Sequence, residues 1–346
     1  MKDLIQKLSD MRGASGFEDR ITPQITELFA PYADEVYTDA LGSVIAVKRC
    51  GKKNAKRLMI EGHCDEIGLM VSGIDEKGFL SFVNVGGVDP RVLPMAEVIV
   101  HGRRDIPAVI GIPDPRTKAA DAKKKSFQRE EMAIDTGLLP EHVRELISVG
   151  DSVTLSQSCG QLLDGQYSGK TMDDRAGVAA VLAALKSLQR VQLNVDLYAV
   201  AAVQEEVGCR GAKAAVYDIM PDLAVAVDVC HGITPDNSQN AFENGSGTVI
   251  SLGPNIHPKL VERLIQTADS RRIPYEIDVD GGDTGTDAWE MQISRAGVPT
   301  ALLSIPLKYM HTSVETLAVS DVQATADLLS CFVAELNENP EEWLCF

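Results

Sequence analysis

The sequence predicts an α/β fold: a mainly parallel central sheet with helices on both faces and a small β-barrel domain inserted into it. Three observations carry this. From Ser168 onward, apolar runs of strand length alternate with longer segments of helical periodicity, the pattern of a parallel sheet covered by helices. Between about Leu69 and Leu162 the pattern changes to short alternating β-type runs punctuated by Gly, Pro and Asp. At 346 residues the chain is also long enough for about two domains. The expected division is a larger domain, residues 1–68 and 163–346, and an inserted barrel-like domain, residues 69–162.

Residues 3–33 read as helical, with a break at Gly13-Ala14-Ser15-Gly16. Ser15 or a neighbour is expected to cap a second helix from Glu18. Asp39-Ala40-Leu41-Gly42 is a turn before a strand from Ser43 to Val47, and Gly51-Lys52-Lys53-Asn54 is another turn. The short strand from Arg57 to Glu61 delivers Gly62-His63-Cys64-Asp65-Glu66 at its C-terminal end, where open α/β sheets place their sites. In the insert, strands are expected at Leu69–Ser72, Phe79–Val85, Glu97–His101, Ala108–Ile112 and Ser152–Leu155, with one helix from Pro140 to Ile147. A basic loop, Arg116 to Arg129, carries Lys118, Lys123, Lys124 and Lys125. It reads as a solvated loop, with a substrate gate or subunit contact as the alternative. Beyond the insert, Asp173-Asp174-Arg175-Ala176-Gly177 opens a helix from Ala176 to Leu188. Strands at Asn194–Val203, Leu223–Asp228, Thr248–Leu252, Tyr275–Val279 and Thr300–Ile305 then alternate with helices at Gly211–Tyr217, His257–Ser270 and Ser320–Leu336. A Gly-rich loop, Asp280 to Asp287, follows the strand ending at Val279.

Hydrophobic content of 45% and charged content of 24% are ordinary for a globular protein. A formal charge of −17, from 33 basic and 50 acidic residues, argues against nucleic acid, because phosphate binding needs clustered Lys and Arg. No apolar run approaches the ~18 residues of a membrane span, and the N-terminus lacks an apolar signal core. The seven Cys, without a Cys-x-x-Cys, suggest neither a disulfide framework nor a thiolate zinc site. A cytoplasmic protein is the expectation. Cys64, Cys209 and Cys230 read as small buried side chains near strand ends.

The stretch that organises the chain is Val203-Gln204-Glu205-Glu206-Val207-Gly208, at the end of an apolar run from Val195 to Ala202. Adjacent carboxylates leaving a buried strand repel, and a low dielectric sharpens the repulsion, so a cation is wanted beside them. His63, Asp65, Asp173, Asp174, Asp228 and His311 likewise end apolar runs or open helices. Imidazoles and carboxylates without thiolate suit catalytic zinc, cobalt or manganese. Two such ions need a bridging carboxylate to offset their repulsion at ~3.5–4 Å.

Six blocks occur in the chain in this order: Ala14-Ser15-Gly16-Phe17-Glu18, Gly62-His63-Cys64-Asp65-Glu66-Ile67-Gly68, Lys170-Thr171-Met172-Asp173-Asp174-Arg175-Ala176-Gly177, Gln204-Glu205-Glu206-Val207-Gly208, Ala226-Val227-Asp228-Val229 and Tyr309-Met310-His311-Thr312-Ser313. Together they resemble the tetrahedral, glutamyl-aminopeptidase-like family of di-metal peptidases over nearly the whole chain. The resemblance implies a di-zinc exopeptidase-like fold and two divalent metal ions per subunit, zinc, cobalt or manganese. One ion falls to His63, Asp173 and Asp228. Asp173 bridges to the second, which Glu206 and His311 complete. Glu205 is implied as the general acid/base. Asp65 is implied to accept the second N–H of His63, and Asp174 to follow across a strained, cis-prone peptide. The insert is implied to assemble a homododecamer. Cys64 stands where the family usually has Ala, and Pro113-Asp114-Pro115-Arg116 where its insert usually carries Pro-Pro-His.

The activity this implies is removal of N-terminal residues from peptides with a free N-terminus. A water activated by the metals attacks and Glu205 moves the proton. The loop Gly281–Asp287 is expected to line the pocket for the first side chain. A di-metal deacylase or amidohydrolase acting on small N-acyl substrates has the same metal logic and is the alternative. A non-catalytic assembly protein leaves the ligands and base without a task, and a glycan hydrolase leaves the His residues unused. Gly169-Lys170-Thr171 resembles the end of a phosphate loop, but Gly165 is one residue too near.

Overall fold

The computed structural model describes residues 1–112, 127–237 and 239–344. Most of the basic 116–129 loop and the Pro113–Arg116 segment lie outside these residues.

An eight-stranded mixed sheet forms the frame, in the order Glu35–Thr38, Val44–Lys48, Asp196–Ala202, Arg57–His63, Leu223–His231, Thr300–Leu307, Thr248–Leu252 and Tyr275–Val279. The four central strands, from Asp196–Ala202 to Thr300–Leu307, run parallel, and antiparallel pairings flank them. Their near-continuous Val, Ala, Leu and Ile runs are buried throughout, as strands covered on both faces should be. Helix Met172–Ser187 is apolar almost all round, with Ala176 to Leu182 fully interior, and packs between the sheet and helices Lys2–Ser9 and Val319–Glu335. Helix Arg210–Ile219 packs on the sheet with the short helix Asp287–Met291 beside it. No helix among the described residues is long and apolar enough to cross a membrane.

Between Gly68 and Leu155 the chain closes a six-stranded barrel, ordered Gly68–Ile74, Leu80–Val85, Ala133–Asp135, Asp105–Gly111, Glu97–His101 and Ser152–Leu155. It has its own core of Ile67, Val71, Leu80, Ile110, Ile134 and Val153, among others. In Asp105–Gly111 the alternation is plain, with Ile106, Ala108 and Ile110 pointing inward.

Several sequence expectations need adjustment. Ser15 caps no helix: Glu18 opens a single 3₁₀ turn without a side-chain cap, and the Ser15 hydroxyl donates to Asp65 instead. The strand expected to stop at Glu61 continues to His63, because its parallel neighbour carries the ladder on to Ala202 opposite His63. The Leu223 strand likewise runs to His231 and the Thr300 strand to Leu307. Strands Glu35–Thr38 and Ala133–Asp135 went unforeseen, as did a three-stranded sheet of Gly160–Gln161, Gln166–Gly169 and Glu315–Ala318. The end of the Gly-rich loop, at Asp287, begins a helix.

Candidate metal centre

Register places the site. His63 ends one central strand opposite Ala202, whose strand runs straight on into Glu205-Glu206. Asp228 lies on the adjacent parallel strand with Ser304 as its neighbour, and that neighbour's strand leads to Tyr309-Met310-His311. Helix Met172–Ser187 brings Asp173 over the same edge.

The side chains converge as two triads that share one member. Donor atoms of His63, Asp173 and Asp228 lie within 4.8 Å of one another, and so do those of Asp173, Glu206 and His311. Asp173 stands between them: Oδ1 is 3.2 Å from His63 Nε2, and Oδ2 is 3.2 Å from His311 Nε2. Glu206 Oε1 is 3.3 Å from His311 Nε2. Glu205 Oε2 looks into the same space, 3.9 Å from His63 Nε2. The Asp173–Asp174 peptide is cis. Asp174 turns away from the triads, where its Oδ1 accepts from the Gly177 amide at 3.0 Å. A Cβ on Gly62 would come 2.8 Å from Asp174 Oδ2, so only glycine lets the strand pass this close. Thr171, Gln204, Tyr309 and His311 hold left-handed φ angles of 64°, 59°, 61° and 60°, the kind of strain that clusters at functional sites.

Burial sets the electrostatics. It pushes the Asp228 and Glu206 carboxyls up, with Asp174 adding to the rise at Asp228 and His311 offsetting part of it at Glu206. For Asp173 burial acts the same way, but hydrogen bonds from His311 and His63 outweigh it and hold the group well below the usual range. Hydrogen bonds to Asp173 and Glu206 raise His311 to about 11. Glu205 is raised to about 8, by burial first and then by Asp287, Glu206 and Asp173, with His63 opposing. These buried acids, stacked at one sheet edge, fit divalent cations by donor chemistry and by spacing.

Residues behind the triads fix their positions. Asp65 is fully buried and accepts from the Ser15 hydroxyl, the Glu205 amide at 3.0 Å and the Glu206 amide at 3.2 Å. His63 Nδ1 is 3.5 Å from Asp65 Oδ1, long for a hydrogen bond but within ion-pair reach. Arg175, also buried, donates to the Cys64 carbonyl at 2.8 Å and to the Leu8 carbonyl at 2.8 Å, tying the His63 segment to the first helix. Lys170 is committed to Glu66 at 2.6 Å, which removes it from any phosphate-loop role.

Sequence reasoning missed three contributors, Glu315, Gly87 and Glu61. Glu315 accepts from the Asp173 amide at 3.1 Å and the His311 amide at 2.8 Å, so one buried carboxylate fastens both segments. The Gly87 carbonyl, in the loop after the second barrel strand, accepts from His311 Nδ1 at 3.1 Å. Behind Glu205, the buried carboxyls of Glu61 and Asp287 face each other without a hydrogen bond of ordinary geometry. Cys209 donates to Glu205 Oε1 at 3.3 Å. The only available signal was the apolar strand around Glu61. Glu315 and Gly87 carry no periodic or motif cue.

Comparison with known proteins gives the family. The profile of the M42 glutamyl aminopeptidase family matches residues 42–328. The chain belongs to that family. It is therefore a peptide hydrolase of the aminopeptidase type. It is 34% identical to the lysyl aminopeptidase of Pyrococcus furiosus, over 96% of this chain and 97% of that one. Its structure superposes on an aminopeptidase of the archaeon Desulfurococcus kamchatkensis with a TM-score of 0.91 at 35% identity, covering 99% and 96% of the two chains. The TET1 peptidase of Pyrococcus horikoshii, described as assembling into a tetrahedron or a large octahedral shell, gives 0.86 at 30% identity, covering 97% and 99%. In this M42 aminopeptidase the triads open into a cavity of about 740 Å³, within the range of small-molecule sites. Asp283, Thr284, Gly285 and Thr286 of the Gly-rich loop line it.

Proposed function

We propose that the chain removes N-terminal residues from peptides by a two-metal mechanism, with zinc, cobalt or manganese held by His63, Asp173 and Asp228 on one side and by Asp173, Glu206 and His311 on the other. The shared Asp173 carries this reading, since its two oxygens face one imidazole each. Bound divalent ions supply a low-pKa water and an electrophile for the scissile carbonyl. Glu205 takes a proton from the attacking water at its Oε2 and returns it to the leaving amine. Its position suits this: mostly buried, facing His63 and the cavity, with a backbone held by Asp65. Asp65 keeps the His63 ring oriented, and Glu315 keeps Asp173 and His311 in step. The carboxylates at the rim receive the free α-amino group of the substrate, which restricts cleavage to the N-terminus.

The decisive comparison uses protein stripped of metal and reloaded, with an unblocked dipeptide and its N-acetyl counterpart. Cleavage of the free peptide alone supports the aminopeptidase reading, and preference for the acetylated one supports the deacylase. Glu205→Gln should abolish turnover with metal still bound. Near-normal turnover would remove Glu205 from its role.

Self-association as a homododecamer is proposed on the likeness to the P. horikoshii peptidase and to a TET1 structure described as a dodecamer, with the inserted domain, residues 69–162, as the assembly element.

A further inference from the structure

The cavity runs from the metal centre across the sheet face, and its far end is acidic. Asp228 is registered with Ser304, Ser304 with Val249, and Ser251, two residues on, with Asp278. Directly paired residues, and residues two apart on a strand, share a face, so Asp228 and Asp278 project on the same side of the sheet. Three interstrand steps of about 4.8 Å separate their strands by ~14 Å, a span shared by the two Asp side chains and the substrate side chain between them. Asp278 is half-buried in the cavity wall beside Cys230 and near Asp280, and Asp283 lines the same cavity. Asp280 and Asp283 each accept one amide of their own loop. Among the described residues, no Lys or Arg lines the cavity, and no ion pair is formed by Asp278, Asp280 or Asp283. Glu290, which also lines the cavity, differs in being paired with Lys213 at 2.7 Å. Burial and the Asp280 charge together push the Asp278 carboxyl up, a repulsion that an incoming cation would relieve. Trp289 lines the cavity as well, and an aromatic side chain adds to the attraction for an ammonium or guanidinium group.

We propose that this end of the cavity is a specificity pocket for a basic N-terminal residue, lysine or arginine, with Asp278 receiving the cationic end and Asp280 and Asp283 excluding acidic side chains. The proposal rests on the aminopeptidase reading and adds the substrate class to it.

The test uses the metal-loaded full chain with lysyl, arginyl, leucyl and glutamyl reporter amides. The expected kcat/KM for Lys and Arg exceeds Leu by ~10-fold and Glu by ~100-fold or more. Asp278→Asn should lower the Lys-to-Leu ratio by ~10-fold or more, as loss of a buried charge partner does. A preference for Leu or Glu, or an Asp278→Asn variant with an unchanged ratio, overturns the proposal. Calorimetry of L-lysinamide against L-glutamic acid α-amide on metal-loaded Glu205→Gln protein is a second measurement that needs no turnover. Tighter lysinamide binding supports the pocket, and equal or weaker binding overturns it. If the wild type cleaves none of the amides, the peptidase reading fails, and the calorimetry still decides the pocket.

Discussion

Replacing Asp65 by Asn removes a fully buried charge that organises three elements of the site. Asp65 accepts the Glu205 amide at 3.0 Å and the Glu206 amide at 3.2 Å, and stands 3.5 Å from His63 Nδ1. Burial alone would raise its carboxyl, but the adjacent His63 ring and the Ser15 hydroxyl keep it below the usual range, so it is anionic where it sits. An Asn keeps one acceptor and presents an NH₂ group where the other oxygen was. One of the two backbone amides is then left facing a donor, and the His63 ring loses its charged partner. Loss of such a partner behind a metal-binding His lowers metal affinity by ~10–100-fold, equivalent to about 1.4–2.7 kcal/mol. Titrating stripped protein with cobalt or zinc, and following both occupancy and turnover, measures this. The expected result is a weaker metal Kd together with a lower kcat at saturating metal, because Glu205 shifts with its amide. A Kd and a saturated kcat within ~3-fold of wild type, below the ~10-fold expected for this kind of partner, would refute the orienting role.

Glu315→Gln leaves the Asp173 or the His311 amide unpaired in a buried setting. A loss of ~1–3 kcal/mol in urea unfolding of the metal-free protein, with faster metal release on chelation, is expected. Unchanged unfolding and release would show that the two segments hold themselves in place. Glu18 gives the pH prediction. Burial, with Asp65 adding, raises it from 4.5 to about 7 in the folded chain, so the unfolded state binds fewer protons between those values and stability falls as pH rises through that window. Glu18→Gln keeps an acceptor for the Gly16 and Gln204 amides. Its stability gain over wild type should therefore grow from near zero below pH ~4.5 to at most on the order of 3 kcal/mol above pH ~7. A gain that does not vary with pH would contradict the assignment.

What could be read from the sequence followed from how local each signal is. The Val195–Ala202 run and the Glu205-Glu206 pair after it mark a buried strand emptying into a charged site, and every proposed ligand lies at the sheet edge this implies. Helix Met172–Ser187 was legible because its Ala, Val and Leu residues leave no polar face. Strand ends were less so: Gly62 and His63 have little strand preference, and pairing with Ala201 and Ala202 decides that they extend. Ala133–Asp135 is too short to show alternation. Ser15 looked like a helix cap because serine serves equally well as a donor to a distant carboxylate, and only the tertiary fold brings Asp65 to it. Glu315 and Gly87 act through backbone atoms or on them, and that leaves no trace in residue type.

The central claim is that two cations share Asp173. Crystals grown with cobalt, with anomalous diffraction recorded at the cobalt edge, test it most directly. Two peaks in each subunit, one beside His63 and Asp228 and one beside Glu206 and His311, with Asp173 between them, are predicted. A single peak, or cobalt bound away from Asp173, would contradict it.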